Sequence, residues 1–144
     1  MDKQYAIFDM DGTLVDSMAY WKNLAKEYLA LQGITHIPDM ILEKIKPMTM
    51  TESATLFIEK FGINRTPESV VNEMNALMDT HYYKDIPLKK GIKEYLKKLH
   101  NSGTTMCVAS ATAVPLVEAC LKRLGIIEYF SFFKILIINL LLSF

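Results

Sequence analysis

Neither sign of charge is in excess in this 144-residue chain: 16 Lys and Arg stand against 16 Asp and Glu, and the formal net charge is zero. That balance gives no long-range pull toward nucleic acid or an anionic membrane surface, so neither is expected as a partner. The positive residues are scattered. Their one mild cluster, Lys84, Lys89, Lys90, Lys93, Lys97 and Lys98, falls at helical spacing and reads as a solvated face. Cysteine is scarce. Cys107 and Cys120 have neither metal-ligand nor disulfide-framework spacing, and both fall in apolar surroundings where a thiol packs as a small hydrophobe. A reduced, cytoplasmic setting is the expectation. No export signal is visible, because the first apolar run, Tyr5–Phe8, follows acidic Asp2 and is far too short for one. His36, His81 and His100 lack Asp or Cys partners at ligand spacing and read as structural or surface residues.

What is present is an ordinary globular composition, 51% apolar and 22% charged, enough for one core carrying a modest insertion. Tyr5–Phe8 reads as a buried strand stopped by Asp9-Met10-Asp11-Gly12-Thr13. From Ser17 the period becomes helical through Tyr20, Leu24, Tyr28 and Leu31, until Gly33 ends it. Three more helices are predicted over Asp39–Lys46, Thr51–Phe61 and Pro67–Tyr83, entered at Pro38-Asp39, Thr51 and Thr66-Pro67. Asp16 and Ser17 read as the opening of the first helix. Trp21 and the pair Tyr82-Tyr83 read as core or interface packing residues, with lining of the cap cleft as the alternative.

After Asp85-Ile86-Pro87 come an amphipathic helix over Gly91–His100, a second buried strand over Thr105–Ala109 and a helix over Val114–Leu124. Strand, helices, strand, helix is the order of an α/β fold, a Rossmann-like parallel sheet flanked by helices. The expected division is a discontinuous core, residues 1–15 and 84–144, with an inserted all-helical cap over 16–83.

The first strand delivers two carboxylates, Asp9 and Asp11, to its C-terminal end, where open parallel sheets bind ligands. Residues two apart on an extended segment point the same way, so both can face one cleft. Two carboxylates there repel unless a cation neutralises them, and an oxygen-rich site suits Mg²⁺. Gly12 lets the backbone turn and approach a ligand closely. The second strand ends with Ser110 and the amides near Ala111 at a helix entrance, an anion-binding arrangement. These parts suit phosphoryl transfer: Asp9 attacks phosphorus, Asp11 protonates the leaving oxygen and later activates water, and Mg²⁺ with Ser110 stabilises the transferring group.

Phe8–Ser17 (Phe-Asp-Met-Asp-Gly-Thr-Leu-Val-Asp-Ser) resembles the first motif of the haloacid dehalogenase (HAD) superfamily, and Val108–Thr112 (Val-Ala-Ser-Ala-Thr) resembles its second. The intervening helices are similar to that superfamily's small cap. Residues 87–92 resemble the return into the core, and residues 124–130 the approach to its third strand. The resemblance covers about residues 4 to 131 and points to the β-phosphoglucomutase and phosphoglycolate phosphatase branch. It implies that Asp9 is nucleophile and metal ligand. Asp11 is acid/base and binds the metal through its carbonyl, while Gly12, Ser110 and the Ala111 amide hold the phosphate. An Asp at position 11 resembles the phosphatases and phosphomutases rather than the dehalogenases. Lys46-Pro47-Met48-Thr49-Met50 lacks the Arg that sugar phosphomutases of this branch carry. The expected activity is therefore a Mg²⁺-dependent phosphatase of a small phosphorylated metabolite. A sugar-phosphate mutase and a non-catalytic remnant are the alternatives.

The superfamily's later Lys and acidic pair are expected well after Phe130. No acidic residue follows Glu128, and Lys134 falls too close to Ser110 to match that Lys. Phe130–Phe144 uses only Phe, Ser, Lys, Ile, Leu and Asn, and reads as the product of a frameshift or truncation. An incomplete core with a sticky edge, poor solubility and very low turnover are the corresponding expectations. The tail is shorter than the roughly 18 apolar residues of a membrane span and contains Lys134, so no span is expected there.

Overall fold

The computed structural model describes residues 2–135. Residues 136–144, on which the expectation of a frameshifted or truncated tail largely falls, lie outside the described residues. Among those described, no helix is long and apolar enough to cross a membrane. The chain divides into two compact units, Met1–Ala19 with Thr80–Phe144, and Tyr20–Asp79.

In the first unit, strand β1 (Tyr5–Phe8) pairs in parallel with β2 (Thr105–Ser110), and β2 in parallel with β3 (Phe130–Ile135). The sheet order is β1-β2-β3, with Phe8 opposite Val108. The helix before β2 spans Ile92–Asn101, and the helix between β2 and β3 spans Val114–Arg123, followed by a 3-10 turn at Ile127–Tyr129. Successive parallel crossovers are right-handed, and two that step the same way across a sheet put their helices on one face. The Phe8 ring meets Tyr95 and Phe130 edge-on on that face, with centroids 6.3 and 6.1 Å apart. Leu96, Met106, Val108, Cys120, Leu121 and Ile126 form the adjoining core. Burial pushes the Cys120 thiol up, as befits a cysteine that packs as a hydrophobe.

The buried strand expected at Tyr5–Phe8 requires correction. Tyr5 is 68% and Ile7 73% exposed, while Ala6 and Phe8 are half-buried. A short apolar run does not reveal which face is covered, and both crossover helices lie on the other one.

The second unit contains α2 (Asp39–Ile45), α3 (Met50–Phe61) and most of α1 (Met18–Leu31) and α4 (Pro67–Lys84). Leu24, Ala25, Tyr28 and Leu29 of α1 are buried, as are Phe57 of α3 and Val70, Met74 and Met78 of α4. The third helix starts earlier than its expected cap, Thr51. Thr49 is the N-cap, its hydroxyl accepting the Glu52 amide while the Glu52 carboxylate accepts the Thr49 amide. Its C-terminus is closed by Gly62 at φ +65°, a left-handed conformation that glycine adopts without steric cost.

A polar clamp joins α1 to α4. The buried Tyr28 hydroxyl donates to Glu73 Oε2 at 2.8 Å, and Arg65 Nε donates to Glu73 Oε1 at 3.0 Å. Burial first, and then Glu73, push Tyr28 up to about 12. The Tyr28 bond, and next the Arg65 bond, hold Glu73 below its ordinary value.

Two predictions follow from these contrasts. Ile7→Thr should change stability by no more than about 0.5 kcal/mol, whereas Leu96→Ala should cost about 2–5 kcal/mol; urea unfolding of both variants measures the difference. A depressed glutamate contributes stability that is whole above 4.5 and fades as pH falls through its lowered value. A raised tyrosine contributes stability that is whole below 10.0 and fades toward 12. Thermal unfolding against pH should therefore lose part of its acid limb in Glu73→Gln, Glu52 still supplying a share, and keep most of its alkaline limb, since burial is the larger cause of the Tyr28 shift. An unaltered acid limb would refute the clamp.

Candidate active site

The loop after β1 is wound around one oxygen. The Met10 carbonyl accepts the amides of Thr13, Leu14 and Val15 at 3.2, 3.0 and 3.1 Å, and the Gly12 amide donates to the Val15 carbonyl at 3.0 Å. Met10, Leu14 and Val15 are fully buried, so apolar side chains anchor the loop that carries the two acids. Gly12 is at φ +73°, and a Cβ there would stand 3.3 Å from Met18 Cγ. Both its backbone conformation and its crowding call for glycine. The returning chain holds the loop from the other side: the Asp16 amide donates to the Pro87 carbonyl at 2.8 Å, and the Lys89 amide to the Leu14 carbonyl at 3.0 Å.

Asp9 is exposed, and its Oδ1 accepts the Met10 amide at 2.8 Å. Asp11 is held far more tightly. Its Oδ1 accepts the Ser17 hydroxyl at 2.7 Å and the Tyr82 hydroxyl, and its Oδ2 accepts the Thr112 hydroxyl at 2.8 Å. Ser17 and Tyr82 are buried. The Thr112 bond ties the loop after β1 to the loop after β2. Ser110 is buried at the end of β2, and its hydroxyl accepts the Thr112 amide at 3.1 Å. Asp9 and Ser110 thus close neighbouring parallel strands at the same end.

Ala111 is exposed in a bend, two residues ahead of the Ala113 cap of the helix Val114–Arg123. Pro115 has no amide hydrogen, and the amides of Leu116 and Val117 both turn back to the Ala113 carbonyl.

Sequence reasoning placed Ser17 at a helix entrance and Tyr82 in packing, and assigned Thr112 no role. The structure gives the hydroxyls of all three to Asp11. His81, read as lacking a carboxylate partner, is 2.9 Å from Asp85 one helical turn on. Among the described residues no three His, Cys, Asp or Glu side chains cluster as a metal cage. The donors at the loop are oxygens only, the Asp9 carboxylate and the Asp11 carbonyl, and the latter accepts none of the loop's backbone bonds. Such a sparse oxygen set fits Mg²⁺, which keeps several waters, better than it fits a softer metal.

The second unit contains an open groove of about 850 Å³ lined by Trp21, Lys22, Leu42, Lys46, Met48 and Met74, among others. Trp21, for which packing was the first reading from sequence and cleft lining the alternative, is 38% exposed there.

Residues 6–136 match the family described as haloacid dehalogenase-like hydrolase. The chain is 29% identical over 133 residues to a phosphoglycolate phosphatase of Agrobacterium fabrum, covering 88% of this chain and 55% of that protein. It is 30% identical over 112 residues to a mitochondrial (DL)-glycerol-3-phosphatase of Arabidopsis thaliana, covering 75% of this chain and 36% of that one. The chain therefore spans between a third and just over half of the curated relatives it matches. In fold it is similar to a Thermotoga maritima protein put forward as a beta-phosphoglucomutase, with a TM-score of 0.78 at 19% identity over 92% of this chain and 61% of that one. It is likewise similar to a HAD-superfamily hydrolase of Geobacter sulfurreducens, with a TM-score of 0.70 at 15% identity over 92% of this chain and 62% of that one. A parallel sheet with two motif-bearing loops at one end and a family match over residues 6–136 lead to one conclusion: this chain belongs to the haloacid dehalogenase-like hydrolases.

Proposed function

We propose that the chain carries the nucleophile and acid/base half of a phosphatase acting on a small phosphate monoester, a cytoplasmic metabolite. The observation that supports this most is the contrast between two acids two residues apart. Asp9 is exposed at the strand end, whereas both oxygens of Asp11 accept bonds from hydroxyls of three separate segments.

In this reading an Asp9 carboxylate oxygen attacks phosphorus, and the bond from phosphorus to the leaving oxygen breaks as Asp11 supplies that oxygen with a proton. Asp11, now a carboxylate, takes a proton from water as the water attacks the aspartyl-phosphate, which restores Asp9 and releases inorganic phosphate. Gly12, Ser110 and the exposed Ala111 backbone hold the phosphoryl oxygens. The Asp9 carboxylate and the Asp11 carbonyl would hold Mg²⁺, which when bound would offset the repulsion between the acids and the phosphoryl group. The helical unit Tyr20–Asp79 is proposed as a cap whose side chains set substrate choice. Hydrolysis rather than mutase chemistry is favoured because the single cation of Lys46–Met50, Lys46, is 2.6 Å from Glu43, and no Arg stands there for a second phosphate.

Incubation with Mg²⁺ and an aryl phosphate should transfer one phosphoryl group to the protein, detectable by intact mass after acid quench. Asp9→Asn should abolish the adduct. A phosphorylated Asp9→Asn variant would remove Asp9 from its role. Offered a sugar bisphosphate beside an aryl phosphate, the protein should release inorganic phosphate from both. Isomerised sugar phosphate from the first would favour the mutase instead.

A further inference from the structure

Tyr82 reaches Asp11 from the end of a helix, and a helix end is the part of a helix least able to hold itself in place. The last four carbonyls of α4 have no partner within the helix. One of them, at Tyr82, accepts Arg123 Nη2 at 3.1 Å, and the same nitrogen donates to the Ile86 carbonyl at 2.6 Å just beyond the helix. One guanidinium nitrogen thus bridges the last turn of α4 to the chain that leaves it. Its positive charge also lies at the favourable, negative end of the helix dipole. Arg123 itself ends the helix Val114–Arg123, which is fixed in the core by Val117, Cys120 and Leu121, all buried. The bridged residues are themselves buried: Tyr82 is 1% and Ile86 0% exposed. A rigid core helix therefore grips the backbone of the residue whose hydroxyl holds Asp11.

We propose that Arg123 is a positioning residue for the Asp11 carboxylate, acting through Tyr82. Arg123 touches neither acid. It sets where the α4 terminus stops, hence where the Tyr82 hydroxyl stands, hence the orientation of the carboxylate that the Ser17 and Thr112 hydroxyls then complete. The catalytic meaning of that orientation rests on the phosphatase reading; the coupling itself does not.

The test is a double-mutant cycle read by the Asp11 side-chain carboxyl ¹³C resonance at one neutral pH in the full chain. Tyr82→Phe should move that resonance, and Arg123→Gln should move it in the same direction. Arg123→Gln placed in the Tyr82→Phe background should add little. Arg123→Lys, which keeps a charged donor, should restore part of the wild-type position, and it serves alone if Arg123→Gln does not fold. An unmoved resonance in the Arg123 variants overturns the proposal, as does an equal shift in both backgrounds, because Arg123 would then be a helix cap and nothing more.

Turnover supplies the second arm. Both Tyr82→Phe and Arg123→Gln should lower kcat about tenfold more for an alkyl than for an aryl phosphate, with KM nearly unchanged, since only the poorer leaving group depends on a well-placed acid. A coupled resonance without any phosphate release would sink the phosphatase reading alone. Release with an equal loss on both substrates would sink the positioning role alone.

Discussion

One carboxylate organises the site. Asp11 accepts hydrogen bonds from Ser17, at the entry of α1, from Tyr82, at the exit of α4, and from Thr112, in the loop after β2. These residues are up to 101 positions apart in sequence. Hydrogen bonds to an ionised acceptor are shorter and stronger than neutral ones. The segments where the chain leaves and re-enters the first unit, and the loop after β2 within it, are therefore registered against the same two oxygens. Removing that carboxylate would leave the buried Ser17 hydroxyl short of its acceptor.

Around that centre the division of labour is physical. Apolar burial of Met10, Leu14 and Val15 fixes the loop from beneath, while the Asp11 carboxylate ties it to its neighbours. Asp9 remains exposed while Asp11 is half-buried. That asymmetry fits two chemically identical side chains for different tasks, one open to a ligand and one held in a set orientation.

Much of the molecule could be read from spacing. Apolar residues at threes and fours marked the six described helices to within a few residues, and β1 and β2 showed as short apolar runs ending in polar loops, whereas β3 was approached only through the family resemblance. The family resemblance rested on contiguous motifs, and those motifs are the loops after β1 and β2. What escaped was long-range. A tyrosine next to another tyrosine at the end of an amphipathic helix looks like packing, and nothing local says that its hydroxyl meets an acid 71 positions earlier. The open face of β1 escaped for a related reason, since alternation shows that a strand has two faces and topology decides which is covered. The Thr49 cap, by contrast, was legible as Thr-x-x-Glu and was passed over for the neighbouring Thr51.

The single carbonyl that gathers three amides at Met10 has its own consequence. A backbone tethered at one hub has few soft torsions left, so an arriving anion would find the main chain of the turn, Gly12 included, already in its final conformation. Little ordering entropy would then be lost on capture. Whatever adaptation a ligand requires must come from rotation of side chains, above all the exposed Asp9 carboxylate, and not from remodelling of the turn that carries it.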